Sequence, residues 1–400
     1  MKRGGYVSNV RRPSLQAKRI KKLPLWATVA IYVAAFLLLA LITAAATLGI
    51  KHIMIESEAN SHEPDMREGD FYYNSLSWRD QQLYDLIFDS ASKALERTEV
   101  IPYSYDMDTF EKVVRCVKGD NPELFYVRFN ELVINHGRYK TYVTMSYRES
   151  GEALDAMRAE FDAAIEDSLA VVSGIDSDFG RELALHDRLV SRCSYANAET
   201  DDIYNTAYGA LVLGRAYCDG YAYAMKALFD EIDMTSAIVY GSVNDAEHVW
   251  NLVCVDGSFY HLDAMWDDAD VSYDANMLFH GYFNLDDNTI LLDHSYYYDD
   301  ILPEADRVMD YYRTQGIYAQ TLEEVEEIFF NELVKASATE HGYIELYCEE
   351  SIDNEQLATH YRNAVKRANE TLGNELFMTA FVVHRASERT NAATVQIFYN

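Results

Sequence analysis

Residues 218–234, CDGYAYAMKALFDEIDM, and residues 247–268, EHVWNLVCVDGSFYHLDAMWDD, decide how this chain folds. In the first, Tyr221, Met225, Leu228, Phe229 and Ile232 recur at helical spacing and form one apolar stripe, which predicts a helix beginning at Cys218. A helix N-terminus carries about half a positive charge and unpaired N–H groups, so it favours a thiolate over a thiol. Gly220 leaves the backbone there approachable, whereas Asp219 opposes the thiolate unless its carboxylate points to solvent. In the second stretch, Asp256-Gly257 between two alternating runs signals a two-residue hairpin. Pairing Val255 with Ser258 sets Trp250 opposite Asp263 and His248 opposite Met265. Alternation then places His248, Trp250, Leu252 and Cys254 on one face, with Phe259, His261, Asp263 and Met265 from the partner strand. His248 and Asp263 become diagonal neighbours, about 7–8 Å apart along the sheet and within reach of an imidazole–carboxylate hydrogen bond.

A helix laid across that face brings Cys218 to His248. Asp263 then accepts from Nδ1–H of His248 while Nε2 takes or shares the thiol proton, which is the nucleophile, base and orienter of covalent acyl transfer. The backbone N–H of Cys218 is one oxyanion donor, and Tyr195 is a weak second. His261 shares the face and is either a rival base or a support for the site. Trp250 and Trp266 pack around the pair and shield it from water. Asn251 points to the opposite face and serves structure. Cys254 lies about 20 Å along the strand from His248 and is not a nucleophile. Cys116, Cys193 and Cys348 read as buried or paired thiols. Five cysteines are an odd and sparse set, too few for a disulfide scaffold.

The fragments CDGYAYAMKALF, GSVNDAEHVWN and GSFYHLDAMWDD, in this order between about Gly180 and Asp268, resemble the transglutaminase-like superfamily of papain-like cysteine enzymes. The shared pattern is C-x-G-[YF]-A, then H-[AV]-W-N, then a strand end of the D-x-x-W-D type. The resemblance implies an α+β fold in which a helix bearing the cysteine packs on an antiparallel sheet, and a Cys-His-Asp triad that falls on Cys218, His248 and Asp263. Members of the superfamily include protein cross-linking enzymes, peptidases, peptide amidases and non-catalytic binding modules, so it leaves the reaction open. The paired zinc cysteines of the glycan-releasing branch are absent, and the calcium loops of the animal cross-linkers are not recognisable. The Asp-rich run from Trp266 to Asp274 and the pair Asp286-Asp287 show no EF-hand spacing, so neither a metal nor a cofactor is expected.

Upstream, Leu25 to Ile50 is an uncharged apolar stretch, roughly 39 Å long as a helix and able to span a bilayer core of about 30 Å with tilt. Lys2, Arg3, Arg11, Arg12, Lys18, Arg19, Lys21 and Lys22 precede it with no acidic residue among them, while Glu56, Glu58, Glu63 and Asp65 follow. The positive-inside rule keeps the basic arm, residues 1–24, in the cytoplasm and sends everything beyond about residue 52 outside. A cleaved signal peptide is the alternative, with small residues at Ala44-Ala45-Ala46, but the apolar core is too long for a signal h-region of about 7–15 residues.

The formal net charge is −31, from 34 basic and 65 acidic side chains, which disfavours nucleic acid and favours basic or amine-bearing partners. Residues 51–70 read as a solvated polar linker and 71–175 as an α+β segment. Within that segment a helix opens at Ser77, three short β-type runs (ELFYVRF, ELVINH, YKTYVTMSY) follow, and a second helix passes through Ala153, Met157, Phe161 and Ile165. Residues 176–300 form the transglutaminase-like domain. Residues 301–400 form an α/β segment with helices at 321–336 and 354–372, a strand at 343–348 and two final strands. The cluster Tyr296-Tyr297-Tyr298 reads as a half-buried amphipathic face. The whole predicts a single-pass, outward-facing membrane protein of the bacterial type, acting on peptide or protein amides, with cell-wall peptides or amine-bearing surface proteins as partners. The non-catalytic alternative is a transglutaminase-like surface binding module.

Overall fold

The computed structural model describes residues 23–59, 61–137, 140–197, 200–268, 277–297, 301–307, 311–339, 342–373, 376–384 and 391–400. The basic arm up to residue 22, residues 269–276 of the Asp-rich run and Tyr298 lie outside them. The chain divides into two bodies, Met1–Glu58 and Ala59–Asn400.

In the first body, helix α1 (Leu25–Ala59) contains Leu25–Lys51, a run of 27 residues long and apolar enough to cross a membrane. Its large apolar side chains, Phe36 and Leu41 among them, are exposed. The helix runs on past the expected boundary, so the first part of the 51–70 linker is helical. The second part is not a free stalk either. Asp65 exchanges backbone hydrogen bonds with the Gln81 side chain at 2.8 and 2.7 Å, and Arg67 pairs with Asp85 at 2.6 Å while its guanidinium covers the Tyr73 ring. These polar contacts dock the segment onto the following helices and override its solvated composition.

The second body begins with α2 (Phe71–Asn74) and α3 (Trp78–Ser92), the latter capped by Ser77 as its sequence indicates. Helix α4 (Met107–Asp120) follows, then the hairpin β1 (Val133–Gly137) and β2 (Lys140–Thr144). The first of the three β-type runs is not a strand. Pro122 starts a 3-10 turn, and Leu124, Phe125 and Tyr126 are buried as core side chains. Their apolar character reflects burial in the core, not strand pairing.

Helix α5 (Glu152–Leu169) and helix α6 (Asp178–Val190) lead to the short parallel pair β3 (Ser194–Tyr195) and β4 (Arg215–Ala216), with α7 (Ala207–Leu211) between them. Helix α8 (Cys218–Asp230) begins at the expected cysteine. It packs on an antiparallel sheet of order β7-β6-β5-β8, made of β5 (Ser236–Val243), β6 (Ala246–Val255), β7 (Ser258–Leu262) and β8 (His294–Tyr296). The hairpin register is the one that the Asp-Gly turn dictates: Val255 pairs with Ser258 and Asn251 with Leu262, and both turn residues have positive φ. Beyond Leu262 the pairing stops, so Met265 does not face His248 but lies in a turn. The fold is thus α+β, with the cysteine helix on an antiparallel sheet and small α/β segments on either side.

Two expectations about α8 are corrected. Its exposed face is missing: every residue from Gly220 to Phe229 is buried, because α5, α6 and α7 cover the side away from the sheet. It also lies on the other face of the sheet from the one expected. The Asn251 amide donates to the Ala222 carbonyl at 2.9 Å, and Tyr240, the cross-strand partner of Val249, meets Tyr223 hydroxyl to hydroxyl at 2.8 Å. The face of Trp250 and Leu252 instead packs on Tyr282, Ile290 of α9 (Asp287–Ile290) and Ala305. The signal for this was Asn251, a buried polar residue between the apolar Trp250 and Leu252, whose amide satisfies an α8 carbonyl.

The remaining chain, α10 (Tyr311–Gln315), β9 (Tyr318–Ala319), α11 (Leu322–Thr339), β10 (Tyr343–Cys348), α12 (Asn354–Leu372), β11 (Phe377–His384) and β12 (Ala392–Tyr399), builds a second four-stranded sheet of order β11-β12-β10-β9 around its own buried cluster. Glu345 of β10 ties it to the rest: it accepts from Nδ1 of His280 at 2.7 Å, while Nε2 of His280 meets Asp187 of α6 at 2.9 Å. Two carboxylates on one imidazole are satisfied together only when both nitrogens carry protons.

Two outcomes follow from this packing. A Cβ at Gly220 would stand 2.7 Å from the Tyr204 carbonyl oxygen and 2.7 Å from the Ala216 Cβ. The glycine therefore serves close packing, not access to the backbone, and Gly220→Ala is expected to destabilise by about 1–3 kcal/mol in urea unfolding. Burial alone would lower the His280 pKa, but Glu345 and Asp187 override it and hold it at about 10. A folded-state pKa above the ordinary 6.5 gives stability that is full below about pH 6.5 and lost as pH rises through about 10. His280→Gln should lower the unfolding free energy read from urea titration at pH 6 by roughly 3 kcal/mol, and the gap from the parent should close toward pH 10.

Candidate active site

Cys218 is the first residue of α8, half-buried, with Tyr217 as the preceding N-cap. The first turn of α8 is held to the segment after β7 by a hydrogen bond from the Tyr221 hydroxyl to the Asp268 carboxylate. Because β7 ends at Leu262, β6 has no strand partner on that side from Ala246 to Trp250 among the described residues. This is where His248 sits, almost fully buried at 5% exposure. Its Nε2 meets Oδ2 of Asp263 at 2.5 Å. Burial alone would lower the His248 pKa; the Asp263 charge and the hydrogen bonds with Asp263 and Cys218 outweigh it and raise it to about 10. With Nε2 committed to Asp263, Nδ1 is the nitrogen left for Cys218.

That is the reverse of the ring orientation expected from the hairpin alone. The reason lies in the placement of α8. Nδ1 is the nitrogen nearer the strand backbone, and a thiol arriving from the opposite face of the sheet meets that side of the ring first. Asp263, beyond the end of β7, reaches the far nitrogen.

Asp263 is 1% exposed and fully engaged. Its Oδ1 accepts from the backbone N–H of Met265 and of Trp266, each at 3.1 Å, and its Oδ2 meets His248 at 2.5 Å and Nε2 of His294 at 3.1 Å. Burial works against the carboxylate, but the two imidazoles overcome it and hold the group well below the usual carboxylate range. His294 was not foreseen from sequence. It enters from β8, with Nδ1 on Asp293 at 2.6 Å. The only local hint is the Asp-His doublet itself.

Trp250 stacks on His248, with centroids 5.8 Å apart and an interplanar angle of 19°, and Trp266 meets the same ring edge-on at 6.4 Å. His261 is taken out of contention as a base. Its Nδ1 accepts from Trp250 Nε1–H at 3.0 Å and its Nε2 faces Asp287 at 2.9 Å. The first bond requires Nδ1 bare, so the ring is held neutral; burial lowers its pKa further against the pull of Asp287. The Asp286-Asp287 pair is likewise occupied, Asp286 as the cap of α9 and Asp287 by His261 and the Ala305 N–H.

Tyr195 pairs with Ala216, two residues before Cys218, and packs edge-on against Tyr217. Burial and then the Cys218 charge raise its phenol pKa, which places it beside the thiol. None of the five cysteines forms a disulfide, and Cys116, Cys193 and Cys348 are buried. Burial pushes the Cys116 thiol up to about 12 and raises that of Cys254.

One cation was missed entirely. Lys118 of α4, a hundred residues upstream, pairs with Asp219 at 3.1 Å, and Asp219 lies 3.8 Å from Sγ of Cys218. Burial opposes the Lys118 charge, while Asp219 and Cys218 raise its pKa. The carboxylate that threatened the thiolate thus carries its own counterion. A cleft of about 780 Å³ opens here between α4 and the sheet, bordered by Phe110, Lys118, Asp219, Glu247, His248 and Tyr297. Two groups could hold a metal, His248 with Asp263 and His294, and His186 with Asp187 and His280, each with donor atoms within 4.8 Å of one another. In both, imidazole nitrogens already meet carboxylate oxygens at hydrogen-bond distance, so protons occupy the place a cation would take.

Residues 168–264 match the family model of the transglutaminase-like superfamily, so the segment that carries Cys218, His248 and Asp263 is transglutaminase-like. Among solved structures, the chain is similar to a proposed cysteine protease from Cytophaga hutchinsonii, at 11% identity and TM-score 0.24, covering 34% of this chain and 61% of that one. It is also similar to a crystal structure described as a TGase, at 12% identity and TM-score 0.27, covering 57% of this chain and 65% of that one. In both cases less than two thirds of the other chain is spanned. Comparison with curated proteins gives no match.

If Lys118 neutralises Asp219, Lys118→Met should slow alkylation of Cys218 by iodoacetamide at pH 7 by about three- to tenfold, whereas Lys118→Arg should retain most of the rate. Peptide mapping by mass spectrometry reads this directly.

Proposed function

We propose that the chain is a membrane-anchored cysteine enzyme that breaks peptide or protein amides through a thioester on Cys218, with His248 as base and acid and Asp263 as orienter. The single observation that carries the proposal is the His248 imidazole held between the Asp263 carboxylate and the Cys218 thiol, with a pKa near 10. An imidazolium that persists at neutral pH keeps a thiolate company, and the thiolate is the nucleophilic form. The transglutaminase-like match over the same residues supports it.

In this mechanism Sγ of Cys218 attacks a carboxamide carbon, and the carbonyl oxygen becomes an oxyanion next to the Cys218 N–H, with Tyr195 as a second donor. His248 gives its Nδ1 proton to the departing amine or ammonia, and the acyl group stays on sulfur as a thioester. A second amine, or water, then attacks the thioester after losing a proton to His248, and the thiolate leaves. Trp250 and Trp266 wall the imidazole from solvent, which strengthens the ion pair. The open cleft beside His248 suits an extended peptide segment.

Location follows from α1. The Leu25–Lys51 run spans the membrane, the basic arm before it stays in the cytoplasm, and the part from about residue 52 faces outward, where cell-wall peptides or amine-bearing surface proteins are the substrates. The acidic balance of the chain draws basic partners toward the cleft, within a screening distance of about 8 Å.

The full chain in detergent, incubated with a glutamine peptide and a labelled primary amine, should release ammonia with or without incorporation of label. Incorporated label makes it a transferase, and ammonia without label a hydrolase. Cys218→Ala should reduce either product by at least about a hundredfold. If neither product forms, and Cys218 labels no faster than Cys254, the outward part is a binding module and not an enzyme.

A further inference from the structure

Asp263 does not serve His248 alone. Its Oδ2 is shared with Nε2 of His294 at 3.1 Å, and the other nitrogen of His294 lies 2.6 Å from Asp293 Oδ1. Asp293 in turn accepts from the Tyr282 hydroxyl at 2.7 Å. The row Cys218, His248, Asp263, His294, Asp293, Tyr282 runs through the interior. His294 is 3% exposed, and Asp293 is nearly as buried, with 7% of its side chain accessible.

A carboxylate oxygen only accepts, so a ring with one such oxygen at each nitrogen satisfies both only as an imidazolium. Every element packed on His294 is accounted for. Asp263 comes from the turn after β7 and Asp293 from its own strand start. His248 and Trp250 come from β6, with ring centroids at 5.4 and 5.0 Å, Trp266 lies at 5.6 Å and Tyr282 at 5.4 Å. Across β5 its backbone partner is the apolar Val243. The titratable groups facing it are thus Asp263, Asp293, His248, the phenol of Tyr282 and, from β7, the neutral His261. Burial alone would lower the His294 pKa, but the bonds to Asp263 and Asp293 raise it, against the charge of His248.

We infer that His294 is a positioning residue, a second imidazolium on the Asp263 carboxylate that limits how tightly His248 holds its proton. The inference rests on the proposed pairing of Cys218 with His248. A carboxylate devoted to one buried imidazole would stabilise its protonated form so far that the proton could scarcely be handed to a leaving group. Sharing that carboxylate with a second cation, itself balanced by Asp293, divides the attraction and adds like-charge repulsion on His248. It also anchors Asp263 from the side opposite His248, so the carboxylate cannot swing out of line.

The test uses the full chain and no substrate. The rate of carbamidomethylation at Cys218, read by mass spectrometry between pH 4 and 11, should show two inflections. The upper marks loss of the His248 proton, when the free thiolate changes reactivity. His294→Gln removes the second cation, and Asp293→Asn keeps the imidazole but removes its reason to be charged. Both should move the upper inflection to higher pH by about one unit, a tenfold tighter hold on the proton. If Asp293→Asn, with its melting temperature intact, leaves the upper inflection in place or moves it down, His294 has a packing role and the inference is overturned. A parent profile with a single inflection, unchanged by His248→Asn, would instead remove the ion pair and with it the proposed enzyme.

Discussion

One buried carboxylate holds the site together. An ionised carboxyl group taken out of water costs several kcal/mol unless its lone pairs are satisfied, and Asp263 meets that demand with two imidazoles and two backbone N–H groups. Each partner constrains a different part of the chain. The N–H groups of Met265 and Trp266 require the strand to end at Leu262 and the backbone to turn. His294 requires β8 to lie beside β5. His248 is turned so that its remaining nitrogen looks toward the helix tip. The turn also delivers Asp268 to Tyr221, which fastens the first turn of α8 where Cys218 begins. Fold and chemistry are therefore governed by the same group.

Histidine–carboxylate pairs recur as the chain's method of joining segments. His280 binds α6 to β10 through Asp187 and Glu345, His261 binds Trp250 to α9 through Asp287, and His186 lies between Asp187 and Asp267. A protein with nearly twice as many acids as bases has too few lysines and arginines to pair them all, so imidazoles supply the interior cations. Of these imidazoles, His261 is held neutral by a tryptophan N–H that occupies one of its nitrogens. The same residue type thus joins segments as a cation in one place and as a neutral ring in another, according to whether both nitrogens face acceptors.

Local chemistry was readable where it dominates. The Asp256-Gly257 turn carried the register of β6 and β7, the Cys218 periodicity carried the start of α8, and the alternation put His248 and Asp263 on one face. The strand at 343–348 and the helix at 354–372 were equally plain. What escaped required knowledge of contacts far apart in sequence. The choice of sheet face for α8 depends on Asn251 finding a helix carbonyl, and that choice reverses which nitrogen of His248 meets sulfur. Leu124, Phe125 and Tyr126 look like strand residues because a buried turn needs the same apolar side chains. The 61–70 segment looks solvated because its hydrogen-bond partners, Gln81 and Asn74, lie in later helices. His294 and Lys118 carry no motif of their own, and their significance comes only from what they touch.

Lys118 has one further consequence. It stands outside residues 168–264, on a helix from the segment that has no recognisable chemistry of its own, yet its ammonium balances the acid next to Cys218. His294 lies beyond the other boundary. The functional unit is therefore discontinuous: a transplant of the matched stretch onto a foreign scaffold would carry sulfur, imidazole and carboxylate while leaving behind the two cations that balance them. Substitutions at the margins can then retune the site by exchanging what borders Cys218, His248 and Asp263, with those three left untouched.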